Sequence, residues 1–247
     1  MNSASGFTPQ SADYRRVRPI SNPTAELAES KFTEVNMLDS KGFDLWANGY
    51  DQSVGLSEEK NTYPFAGYKK ILGRIYKTIM EKPHPVVLDI GFGTGTLTRK
   101  LYENGCIVYG QDFSSKMIEM ALEKMPDAHL YKGDFTRGLA EPLDRERYDF
   151  IVATYSIHHL TDSQKVDFLK DLLNHLKEEG KILIGDVAFE TRDEWYICKE
   201  ENRDQWDSQE IYCIAEELRA VFPHLCFEKI TFCSGILTIA GSIPNFV

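Results

Sequence analysis

The sequence predicts an α/β protein built on a doubly wound, mostly parallel sheet. Three observations predict it. Short apolar runs alternate with amphipathic segments five times between residues 86 and 187, the pattern of repeated strand–helix units. A glycine-rich turn joins the first of these runs to the helix after it. The stretch CFEKITFCSGILTIAG (226–241) reads as two strands joined near residues 233–235, an antiparallel hairpin that extends the sheet.

The elements follow in order. In AGYKKILGRIYKTIME (66–81), Tyr68, Ile71, Leu72, Ile75, Tyr76 and Ile79 recur at helical spacing, and Pro83 and Pro85 stop the helix. VVLDI (86–90) is a strand ended by glycines, and 94–104 is a helix with Leu97 and Leu101 turned inward. CIVYGQD (106–112) is the second strand, and Ser114 is the N-cap of a helix over 115–125 that ends before Pro126. AHLYKGD (128–134) is the third strand. YDFIVATY (148–155) is the fourth, apolar enough for burial on both faces. Thr161 or Asp162 caps a helix running to about Lys177, with Gly180 at its C-terminal end. KILIGDV (181–187) is the fifth strand. Residues 192–222 are charged, helical in pattern, and carry Trp195, Trp206 and Tyr212.

Composition bounds the possibilities. At roughly 150 residues per domain, 247 residues suit one large domain. Residues 1–40, rich in Ser, Pro, Asn and Thr with Arg15, Arg16 and Arg18, read as a poorly ordered arm. The expected domain is 41–247, with a helical cap over 41–82 and an insertion over 190–222. An apolar content of 42% excludes a mostly disordered chain. A formal charge of −10 argues against nucleic acid or an anionic membrane as partner, since phosphates need a basic footprint. The longest apolar runs are too short to span a bilayer, and MNSASGFTPQ lacks the build of a secretory signal. Cys106, Cys198, Cys213, Cys226 and Cys233 have no CxxC spacing, so neither a disulfide framework nor a metal site follows, and the expected location is the cytoplasm.

The informative segment is VLDIGFGTG (87–95). Gly91, Gly93 and Gly95 form G-x-G-x-G between strand and helix, where glycines permit a tight turn and close approach of a ligand to backbone. The dinucleotide fingerprint G-x-G-x-x-G is not met, because its sixth place holds Thr96. Asp89 precedes the first glycine by two residues. Asp112 ends the second strand, beside the glycine turn at the carboxyl edge of a doubly wound sheet, where a carboxylate accepts from ribose hydroxyls; its plainer role is to cap the next helix. Asp134 closes the third strand and is followed by Phe135, an acid and a ring that suit an adenine; its plainer role is an ordinary turn Asp.

With these residues assembled, the chain resembles the class I S-adenosylmethionine-dependent methyltransferases over residues 43–241. The carriers are VLDIGFGTG, GQDFS (110–114), KGDF (132–135), YDFIVATYSIHHL (148–160) and GKILIGDV (180–187), with FDLWANGYD (43–51) and the final hairpin matching small members that act on diffusible substrates. The resemblance implies a seven-stranded Rossmann-like sheet of order 3-2-1-4-5-7-6 with strand 7 antiparallel. It implies S-adenosyl-L-methionine as cofactor, with Gly91, Gly93 and Gly95 at the methionine part, Asp112 at the ribose, Asp134 with Phe135 at the adenine, and Phe92 and Phe113 as further cofactor contacts. Thr154 and Tyr155 would flank the sulfonium, and Tyr50 would close the pocket from the N-terminal helix. Gln111, before Asp112, stands where an apolar residue is commoner.

The implied reaction is in-line methyl transfer to a small-molecule acceptor by a monomer or homodimer. Alignment and exclusion of water are its main demands, and a base is needed only where the acceptor must lose a proton. By resemblance, His158 is the base or substrate-orienting group and His159 packs beneath the loop. Asp186 either binds a cationic acceptor group or caps a turn, and Trp195, Trp206 and Tyr212 either form an acceptor lid or belong to the core. Two other readings stay open: a catalytically silent adenosyl-binding protein, and an NAD-type oxidoreductase on a related sheet. Against the second, no Lys lies four residues after Tyr155.

Overall fold

The computed structural model describes residues 60–241. Tyr50, the 1–40 arm and residues 41–59 of the cap lie outside the described residues. Helix α1 (Tyr68–Ile79) leads to strand β1 (Val86–Ile90), α2 (Thr96–Glu103), β2 (Ile107–Asp112), α3 (Ser115–Leu122), β3 (His129–Lys132) and β4 (Tyr148–Thr154). Then come α4 (Asp162–Leu173), β5 (Leu176–Phe189), α5 (Arg192–Glu201), a two-residue β6 (Cys213–Ile214), β7 (Cys226–Lys229) and β8 (Ser234–Ala240). The sheet order is β3-β2-β1-β4-β5-β8-β7, with β6 pairing β5 off this path. Strands β1 to β5 pair in parallel, whereas β8 runs antiparallel to both β5 and β7. This is the expected order with one strand added, because β6 moves the numbers of the final hairpin up by one.

The unbroken apolar character of the strands follows from burial on both faces. Val87, Val152, Leu183 and Ile236 pack on one face with Ile71, Ile75 and Ile79 of α1. Their neighbours Leu88, Ile151, Ile182 and Leu237 pack on the other with Phe168, Leu169 and Leu172 of α4. Adjacent residues of one strand thus serve opposite layers, as a parallel sheet under two helical layers requires.

Three sequence expectations change. The fourth helix stops at Leu173, and Gly180 is not its C-terminal glycine. Strand β5 pairs Leu176 with Tyr148, skips, and resumes with Lys181 beside Phe150. Gly180 lies in that bulge, where a Cβ would approach the Lys177 carbonyl oxygen to 2.8 Å and that of Tyr148 to 3.0 Å. The 192–222 region is helical only over α5 and the short turn Ala215–Leu218.

Gln111 is the third change, since the polar residue at an expected apolar place has a task. Fully buried, it donates from Nε2 to the Gly138 carbonyl (3.0 Å) and accepts the Ala140 N–H at Oε1 (2.7 Å). It thereby holds the loop after β3 against β2. Gln111→Leu leaves both backbone groups without their partner, and an equilibrium urea titration should show a loss of about 2–3 kcal/mol. A loss below 0.5 kcal/mol would contradict the clamp.

Candidate active site

A cavity of about 330 Å³ opens at the carboxyl ends of β1, β2, β3 and β4. Gly91 and Gly93 wall it from the turn after β1, Asp112, Phe113 and Met117 from the end of β2 and the start of α3, and Asp134, Phe135 and Thr136 from the turn after β3. Tyr155, Ser156 and His159 come from the turn after β4, and Gln164 from the first turn of α4. Strand order reverses between β1 and β4, so this is the crevice where open α/β sheets hold ligands.

The glycine turn is tight for visible reasons. Gly91 has φ +68°, its N–H donates to the Gln111 carbonyl (2.7 Å), and a Cβ there would stand 2.5 Å from Ser156 Cβ. Ser156 is itself fixed, donating from Oγ to the Ile90 carbonyl (2.8 Å). Gly93 has φ +57° and nothing within 4 Å of where a Cβ would stand, so a side chain there would enter open space. The Asp112 carboxylate binds the turn from below, accepting the Gly93 N–H at Oδ2 (2.8 Å) and the Ser114 N–H at Oδ1 (2.9 Å). Asp134 lines the cavity and also caps the turn Phe135–Arg137, accepting from the Thr136 N–H (3.0 Å) and hydroxyl (2.6 Å). Ser114 caps α3 through the Met117 N–H, and Thr161 with Gln164 forms a capping box on α4.

Beneath the turn sits Asp89. Its Oδ2 accepts the Thr98 hydroxyl at 2.6 Å, while Oδ1 is buried without a hydrogen-bond partner. Burial pushes this carboxyl up to about 7, the Thr98 hydroxyl opposes the shift, and the Asp112 charge adds to it.

Of the expected site residues, the cavity brings together Gly91, Gly93, Asp112, Phe113, Asp134, Phe135 and Tyr155. The Phe92 side chain turns away and packs with Ala121 and Met125. Gly95 serves as the N-cap of α2 at φ +78°, and Thr154 ends β4 behind the wall. Met117, Thr136, Ser156, His159 and Gln164 line the cavity without having been singled out for it. The signal for Ser156 and His159 was their place in the YSIHHL turn after a buried strand.

The two histidines exchange their expected orientations. His159 faces the cavity, whereas His158 is buried with Nδ1 2.8 Å from Asp186 Oδ1 and Nε2 3.6 Å from Glu210 Oε1. The cause is the carboxylate of Asp186, inside β5, which draws the first imidazole inward. Burial alone lowers the basicity of the His158 ring, but Asp186, with Glu210 beyond, outweighs it and holds the ring above its ordinary value. Burial and then the neighbouring His158 push His159 down to about 2. Trp195, Trp206 and Tyr212 pack on the α1-side core, so the core reading of these aromatics describes their contacts.

Fold and site together define a Rossmann-like protein whose cavity lies at the carboxyl edge of its sheet. A sequence profile described as a methyltransferase domain matches residues 87–180. An uncharacterized methyltransferase of Anoxybacillus flavithermus is 42% identical over 151 residues, 61% of this chain and 68% of that protein. Another, of Oceanobacillus iheyensis, is 34% identical over 198 residues, 77% of this chain and 87% of that protein. Among solved structures, magnesium protoporphyrin IX methyltransferase (ChlM) from Synechocystis PCC 6803 with bound SAH superposes with a TM-score of 0.62 at 18% identity, covering 84% of this chain and 97% of that one. The DhpI–SAH complex gives 0.63 at 14% identity over the same shares. The chain belongs to the class I S-adenosylmethionine-dependent methyltransferases.

That family sets aside the oxidoreductase alternative and the silent binder. Among the described residues no helix is long and apolar enough to cross a membrane, and no cluster of His, Cys, Asp and Glu could hold a metal ion.

Proposed function

We propose that the cavity between the glycine turn and the turns after β2, β3 and β4 is the donor site, and that the methyl acceptor is a small molecule. The observation that carries the first part is the pairing of a side-chain-free turn at Gly91 and Gly93 with two carboxylates, Asp112 and Asp134, around one cavity. The residues present fit the donor. The open space at Gly93 would admit the amino-acid end against backbone, the Asp112 carboxylate lines the cavity where it could accept from ribose hydroxyls, and Phe113 and Phe135 supply apolar rings to the same cavity as Asp134. The unpartnered Asp89 oxygen adds negative charge below a site for a cation.

The bound donor supplies an electrophilic methyl on a sulfonium. The chain's part is to bind, orient and exclude water. Tyr155, at φ +51°, packs against Phe65 and Tyr68 with ring centroids 5.3 and 5.1 Å away, an aromatic wall that keeps water from the carboxyl end of β4. Neither histidine is set as a general base: His158 does not line the cavity, and burial leaves His159 a very weak base. This favours an acceptor atom that attacks without help. The small-molecule reading rests on the net charge of −10, and on a solved neighbour, the Synechocystis enzyme, named for magnesium protoporphyrin IX. The 41–247 domain, with its cap and its insertion, is proposed on the same footing, as is a cytoplasmic monomer or homodimer.

The test is calorimetry with S-adenosylhomocysteine and NAD, followed by incubation with labelled donor and a metabolite extract. The protein should bind the first, ignore the second and label a low-mass product. Asp112→Ala should weaken S-adenosylhomocysteine by about 1–3 kcal/mol, the cost of losing a charged hydrogen-bond partner together with the anchor of the Gly93 N–H. Unchanged affinity in that variant would remove the ribose assignment.

A further inference from the structure

The insertion after β5 ends in a polar chain that the donor site does not use. Its Glu210 accepts the Tyr212 hydroxyl, and Tyr212 in turn contacts the Tyr63 hydroxyl. Trp206 closes this group, stacked on Tyr63 at 5.2 Å and edge-on to Tyr212 at 5.2 Å. The other Glu210 oxygen stands 3.6 Å from His158 Nε2. One residue further on, the Ile211 N–H donates to the His158 carbonyl at 2.8 Å. His158 therefore meets the insertion through both its backbone and its ring. On its other side Asp186 Oδ1 holds Nδ1 and also accepts the Val187 N–H (2.7 Å), while Asp186 Oδ2 is buried with no hydrogen-bond partner.

This arrangement has a consequence for the cavity wall. His158 sits in the turn that also carries Tyr155, Ser156 and His159, which line the cavity. A ring gripped from opposite sides by a strand and by the insertion fixes the rotation of that turn. We infer that Glu210 is a positioning residue for methyl transfer, acting through His158 on the turn that walls the donor cavity. The inference rests on the donor-site reading above. It assigns the insertion a part in setting that wall, although none of its residues line the cavity.

The charge state of His158 is the link. The groups facing it are Asp186 from β5, Glu210 and Tyr212 from the insertion, Lys165 from α4 and its neighbour His159. Lys165 opposes the proton and the two carboxylates hold it. Removing the Glu210 charge leaves Asp186 against burial and Lys165, and the ring then titrates at lower pH.

The test uses the full chain with S-adenosylhomocysteine as probe, by calorimetry from pH 6 to pH 8.5, and ¹⁵N resonances of the imidazoles assigned with His158→Asn. The wild type should bind with affinity flat across this range, its His158 keeping the second proton to higher pH than in Glu210→Gln. Glu210→Gln should match it at pH 6 and weaken at least fivefold by pH 8.5, in step with loss of the His158 proton. Glu210→Asp, which restores the charge, should return the flat profile. Equal profiles for Glu210→Gln and wild type would overturn the inference. A second measurement is read on the wild type and needs no Glu210 variant: the His158 resonances should move when S-adenosylhomocysteine is added, and unmoved resonances would equally overturn it. Absence of binding by the wild type itself would strike the donor-site reading, and is distinguishable because the His158 titration is still observed.

Discussion

Gly91→Ala should weaken S-adenosylhomocysteine binding by about 10- to 100-fold, the equivalent of the roughly 1–3 kcal/mol that an overpacked contact costs. It should also cost the fold about 3 kcal/mol, the sum of a left-handed backbone on an L residue and an overpacked contact. The added methyl would stand 2.5 Å from Ser156 Cβ, closer than any relaxed contact. Neither side can yield cheaply. The Gly91 N–H is bonded to the Gln111 carbonyl, and Ser156 is bonded through its hydroxyl to the Ile90 carbonyl. The clash therefore drives the turn after β1 away from the turn after β4, and both wall the cavity. Gly93→Ala is the informative companion. Its Cβ meets nothing, so the fold should lose only about 1 kcal/mol of backbone strain, while binding suffers because the methyl occupies cavity space. Urea unfolding and calorimetry on both variants separate the two effects. Normal binding by Gly91→Ala would mean that the nucleoside sits elsewhere.

Asp89→Asn should make the free protein more stable above neutral pH by on the order of 4 kcal/mol, taking 1.36 kcal/mol for each unit between 3.8 and about 7. The sign follows from linkage. A carboxyl whose folded pKa is raised binds its proton more tightly in the folded than in the unfolded chain, so stability falls as pH climbs from about 4 through 7. Above that, the folded protein carries a buried anion with one unpartnered oxygen. The amide removes the charge and keeps an oxygen for the Thr98 hydroxyl. Urea titrations at pH 5.5 and pH 8.5 should show a steep difference for wild type and a flat one for the variant. Parallel lines would refute the assignment. Such an anion, retained at a cost in stability, is what a site prepared for a cation looks like.

Much of this was legible in the chain because the physics is local. The spacing of Ile71, Ile75 and Ile79, the G-x-G-x-G after VVLDI, and acids at the ends of successive strands each declare themselves within a few residues. What was hidden depends on partners distant in sequence. Gln111 looked like an intruder until Gly138 and Ala140 were seen to need it. The two histidines are adjacent, and which one turns inward is decided by Asp186, 28 residues on. The β5 bulge was hidden for a similar reason, since Gly180 reads equally as a helix terminus until its crowding by the Tyr148 carbonyl is known.

All the described residues that wall the cavity fall between positions 91 and 164, whereas the Trp- and Tyr-bearing stretch comes after position 190. The later segment meets the cavity wall from behind, where Glu210 and Ile211 touch His158. Changes in that segment that keep those contacts leave the cavity lining whole.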